Sequence, residues 1–158
     1  MTDVRTMSLD EIATRIDKLV SEPDATLVAK STARADELLA LGEGILETWL
    51  LARGETPTTR EIEGFRLLAL HRQGARGEPS FNACRETCRE LVYQHNLVRL
   101  DPAHPDTARR LRLAAMVARH LALFIGGKLE VAGLGEFCCS SRPLRQGEAT
   151  AQSAETMQ

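Results

Sequence analysis

The chain has 158 residues, of which 43% are apolar, 27% charged and only 4% aromatic. These fractions belong to an ordinary globular protein and exclude disordered and fibrous classes. The formal charge of -2, from 20 basic and 22 acidic residues, argues against a generally polycationic nucleic-acid binder.

Charge is unevenly spread. Residues 1–59 carry 6 basic and 11 acidic side chains, and residues 60–147 carry 14 basic and 9 acidic ones. Such asymmetry reads first as solvated helix surface and second as two faces with different partners. No stretch approaches the ~20 apolar residues needed to span a bilayer, so no membrane association is expected. Met1 to Asp10 lacks the charged start and apolar core of a secretory signal. A cytoplasmic location is therefore the expectation. In such a reducing compartment Cys84, Cys88, Cys138 and Cys139 would be free thiols rather than disulfides.

The first predicted helix opens at Ser8 and Glu11, a capping-box pair, and runs to about Glu22 with Ile12, Ile16, Leu19 and Val20 as its apolar stripe. Asp24 to Lys30 reads as a connector after Pro23. Ser31 or Thr32 caps a second helix that ends near Arg53, with Gly54 as its stop. Leu38, Gly42, Ile45 and Trp49 share a face there. Two glycines inside that helix, Gly42 and Gly44, imply a bend or a close neighbour.

Thr58 and Glu61 form a second capping-box pattern, predicting a third helix from that point to about Gln73. Gly74 to Pro79 is a loop by composition. The fourth helix is expected from Ser80 to about Asn96, and the fifth from Asp106 or Thr107 to Ile125, stopped by Gly126 and Gly127. Lys128 to Ala132 reads as a short strand or irregular arm. The tail from Gly147 is small and polar and predicts disorder. The composite is an all-α, single-domain bundle of about five helices over residues 1–146, with an irregular C-terminal arm and a flexible tail, 147–158.

The thiol–imidazole set is the sharpest chemical signal. Cys84, Cys88, Leu91 and His95 fall on one helical face, and Cys138 and Cys139 can fold back onto it. Two to four thiolates with one imidazole suit Zn, Cu(I) or an Fe-S cluster, or a redox switch whose thiol is activated by Arg85 and Arg89. Against that stands ordinary packing, because free cysteine is among the most buried residue types. His95 also lies about 10 Å along a helix from Cys88 at the 1.5 Å rise, too far to share one ion directly.

His71 and His120 sit on helices that can meet, and a hydrogen-bonded structural role is the expectation for both. The pairs Glu43/Glu47 and Glu86/Glu90 read as solvated faces. Zincin, nucleophile-elbow, Walker and dinucleotide motifs are all absent. A helix-turn-helix would use Asn82, Arg85 and Arg89 to reach base edges, yet its connector is longer than usual and Glu86 and Glu90 oppose phosphate. The leading expectation is a non-enzymatic regulatory or accessory protein acting through helix faces on a protein partner or a second copy. A thiol-based metal or redox sensor comes next, and a DNA-binding regulator third.

Overall fold

The computed structural model describes residues 7–76 and 84–133. Six helices follow in chain order: α1 Leu9–Val20, α2 Asp24–Ala29, α3 Ser31–Ala52, α4 Arg66–Ala75, α5 Arg85–Leu100 and α6 Thr107–Ala132. The fold is all-α, with no strand among the described residues. None of these helices is long and apolar enough to cross a membrane.

Helix α1 starts as its sequence dictates. The Ser8 hydroxyl accepts the Glu11 amide at 3.1 Å, and the Ser8 amide donates back to the Glu11 carboxylate at 2.8 Å. Ile12, Ile16 and Leu19 are buried along its inner face. The expected connector after Pro23 is instead the short helix α2. Pro23 supplies the extended entry, and its carbonyl accepts the amides of Thr26 and Leu27. Bidentate pairs from Arg15 to Glu37 and from Arg34 to Glu22 tie this N-terminal part to α3.

The third helix starts later than the Thr58 and Glu61 pattern predicts. Residues 56–65 form a loop that folds back along α4 instead. Two side chains hold it: Gln73 donates to the Thr56 carbonyl at 2.9 Å and accepts the Thr58 amide at 2.8 Å. Arg66 donates to the Thr58 carbonyl, and the Thr58 hydroxyl accepts the Arg60 amide. Ile62 and Phe65 then exchange backbone hydrogen bonds across Glu63 and Gly64, both at positive φ. Two central residues of that handedness make a tight reversal, which the helical spacing of Ile62 and Phe65 conceals.

Helix α6 runs through Gly126 and Gly127 rather than stopping before them. The segment 128–132, expected as a strand or arm, is its last turn, closed by Gly133 at φ 72. Two glycines cost a helix about 2 kcal/mol in propensity. Burial of Leu129 on the same face as Ile125 and Leu121 offsets this. Helix α5 likewise continues to Leu100, beyond the expected Asn96. The expected start at Ser80 and the arm and tail beyond Gly133 lie outside the described residues.

One apolar core runs through all six helices. Helix α6 packs on α1, α2, α3 and α5, while α4 packs on α3 and α5. The small stripe Ala114, Ala115, Ala118 and Ala122 lets α6 approach its neighbours closely. Arg66 anchors the start of α4 to α3 through Glu47 at 2.5 Å and Glu43 at 3.5 Å. These two carboxylates are therefore partly buried clamps, not the solvated pair expected. Burial raises the Glu43 carboxyl above the ordinary carboxylate range, against the pull of Arg66.

Gly42 is where α3 receives α4 and α5. A methyl group there would lie 2.7 Å from the Leu91 side chain of α5 and 3.3 Å from the Leu67 side chain of α4. Both leucines are fully buried, so neither has free space to retreat into. Overpacking costs about 1–3 kcal/mol, more than the ~1 kcal/mol of helix propensity that alanine returns. Gly42→Ala is therefore expected to lose about 1 kcal/mol of stability in urea unfolding. Gly126→Ala, whose methyl would meet Leu9 at an ordinary 3.6 Å, is expected to gain up to ~1 kcal/mol. Equal shifts for the two variants would refute this account of Gly42.

Candidate functional site

Helices α4 and α5 converge on a thiol–imidazole group. Cys84 is the N-cap residue of α5 and Cys88 follows one turn later, so their spacing of four puts both thiols on one face. His71 faces them from α4. The three side chains are buried, at 2%, 0% and 6% exposure for Cys84, Cys88 and His71. Both cysteines are free.

Cys84 is held by hydrogen bonding with Cys88 and with His71 and by a favourable charge interaction with His71. These contacts outweigh burial and pull the Cys84 thiol down to about 6. The same hydrogen bond, together with burial, pushes the Cys88 thiol strongly up. The pair thus keeps one proton between two sulfurs, because a second thiolate beside the first would be a buried like charge.

A groove lies over this buried group. One part, ≈ 260 Å³, is lined by His71 and Leu68 and by the guanidinium groups of Arg72, Arg76, Arg85 and Arg89. A second part, ≈ 660 Å³, runs between α4 and the 56–62 loop and adds Arg60 and Glu61. The two parts share Ile62, Arg72 and Arg76, so they are continuous. Arg89 is paired with Glu63 at 3.1 Å, which holds the Glu63 carboxyl below the ordinary range. Arg72, Arg76 and Arg85 make no ion pair within 4 Å among the described residues. The groove is therefore strongly basic, although the chain as a whole carries a net negative charge.

Helix α5 presents the sequence-predicted residues on different sides. Cys84, Cys88 and Leu91 form a buried stripe, while Arg85 and Arg89 line the groove. His95 does not join the thiols. Its Nε2 lies 3.0 Å from Asp36 of α3, beside Arg99, and its ring meets Phe65 edge-on at 5.8 Å. The imidazole at the thiols is His71, which the sequence paired with His120. That pairing does not form, since His71 is buried against α5 and His120 is exposed on α6. The sequence places His71 on the less apolar side of its helix, whereas the structure buries it with Leu67 and Gly74 on the inner face of α4.

Among the described residues no three His, Cys, Asp or Glu side chains gather as a metal set. Asn82, Cys138 and Cys139 lie outside the described residues, so their expected part in nucleic-acid or metal binding does not bear on this geometry. Comparison with protein-family models, curated proteins and solved structures finds no match.

The sulfur–imidazole contacts have a measurable signature. A folded-state value of about 6 for Cys84 lies below the ~8.5 of a free cysteine. Its ionisation therefore contributes stability that is fully present above ~8.5 and is lost as pH falls through about 6. The thiolate absorbance of wild type minus that of Cys84→Ser is expected to titrate near 6. Cys88→Ala and His71→Ala are each expected to move that titration upward. A difference curve centred at an ordinary cysteine value would refute the arrangement.

Proposed function

We propose that this chain is a non-enzymatic accessory or regulatory protein that binds an acidic segment of a protein partner along the α4–α5 groove. The single observation behind this reading is the concentration of Arg60, Arg72, Arg76, Arg85 and Arg89 on one continuous groove. Guanidinium groups bind carboxylates in a planar, bidentate way and are weakly hydrated, which suits an interface. Its apolar floor, with Ile62, Leu68 and Ala75, suits the aliphatic stems between the acidic groups of a peptide.

A protein segment fits better than a nucleic-acid backbone. Glu61 lines the groove, Glu63 occupies Arg89, and Glu86 and Glu90 stand exposed on α5. Those carboxylates would repel a polyphosphate that extends past the arginines. Free, buried Cys84 and Cys88 suit a reducing compartment such as the cytoplasm. Their burial favours packing and support of the groove floor over exchange with external thiols or oxidants.

Fluorescence anisotropy with a labelled oligoglutamate peptide tests the reading. Binding is expected, weakening as salt rises because the groove arginines are exposed and screened. Each screened pair is worth about 0.2–1 kcal/mol, so reversing two charges should cost roughly tenfold or more in affinity. Arg72→Glu with Arg76→Glu is expected to show that loss, and Arg99→Ala, on the far end of α5, to leave binding unchanged. An absence of binding, or the same loss in Arg99→Ala, would defeat the proposal. Tighter binding of single-stranded DNA through the same arginines would replace it with a nucleic-acid role.

A further inference from the structure

The longest helix carries a second surface that the groove does not use. The inner face of α6 is filled by Leu111, Ala118, Leu121 and Ile125, all buried. Its outer face exposes Leu113, Met116 and Leu123, the last at 69%. These three belong to a stripe in which Arg109, Leu113, Met116, His120, Leu123, Gly127 and Glu130 alternate steps of four and three residues. An average step of 3.5 is the spacing of a seam between two helices that cross at a shallow angle.

The stripe is complementary to itself when reversed. In an antiparallel pair with its two-fold axis at His120, Met116 of each copy lies opposite Leu123 of the other. Leu113 lies opposite Gly127, where a β-carbon would meet no atom within 4 Å, so nothing of the facing helix obstructs the leucine. At the ends, Arg109 lies opposite Glu130, which places a positive charge against a negative one in both halves of the pair. The register of the apolar residues and the register of the charges coincide. A parallel pair would instead set like ends together, arginine against arginine.

We propose that this outer face of α6 is an interface between two copies of the chain, packed antiparallel about His120. A two-fold interface of this kind uses one patch twice, so each favourable match occurs in duplicate. No residue of the stripe lines the arginine groove, and the interface stands or falls independently of the peptide-binding reading.

Sedimentation equilibrium on the full chain over a concentration series tests it. A reversible monomer–dimer equilibrium is expected. Leu123→Glu, which puts a carboxylate on an exposed site, is expected to weaken dimerisation at least tenfold while leaving the circular dichroism spectrum intact. Arg109→Glu and Glu130→Arg are each expected to weaken it, and the double charge swap to restore it. A dimer indifferent to Leu123→Glu, or a double swap no better than the singles, would overturn the proposed packing. So would a wild-type chain that stays monomeric throughout, including the case in which Leu123→Glu lowers its melting temperature because residues 134–158 cover the stripe.

Discussion

The α4–α5 site depends on the missing side chain at Gly42. The helix α3 carries a buried notch there, filled by Leu91 of α5 and Leu67 of α4. That notch lets both helices seat on the same stretch of α3. Arg66, which bridges Glu43 and Glu47 on the turn of α3 that follows Gly42, fixes where α4 begins. With both helices seated, His71 comes against Cys84, and the arginines of α4 and α5 turn toward a common groove. A side chain at position 42 would have to push one helix outward and so separate groups that act only when together.

The buried thiols suit this frame better as a rigid support than as exchangeable chemistry. Leaving a polar group unpaired in a core costs about 1–3 kcal/mol, so a sulfur pair that shares one proton and leans on an imidazole satisfies its own needs internally. The negative charge this arrangement favours at Cys84 sits at the start of α5, where the helix dipole also favours it.

Much of this fold is legible in the sequence, because helical periodicity and end signals act locally. Ser8 with Glu11, the break at Gly54 and the inward stripe of α6 all lie where pattern alone puts them. The misses come from contacts that local pattern does not carry. Ile62 and Phe65 keep helical spacing but sit on either side of a positive-φ reversal, held by Gln73 and Arg66 from outside the segment. Gly126 and Gly127 look like a stop, yet packing of Leu129 carries the helix past them. The site was half legible. Cys84 and Cys88 share a face by spacing alone, and Arg85 and Arg89 were visible as a basic edge. Their neighbours His71, Arg72 and Arg76 come from another helix across a connector of unspecified path, so periodicity has no means to choose His71 over His95.

The placement of the two proposed surfaces has a consequence for how they would act together. The groove belongs to α4, α5 and the 56–62 loop, and the self-complementary stripe to the outer side of α6. Because they share no residue, pairing through α6 would use no residue of either groove. Two screened, individually weak sites on one particle gain from effective concentration once a partner offers two acidic segments. A groove of exposed arginines, poor at tight binding alone, then becomes selective for partners with repeated acidic segments at a matching separation. The weak surface electrostatics of a single chain are in that case an advantage, since they let a monomeric partner leave and hold only a bivalent one.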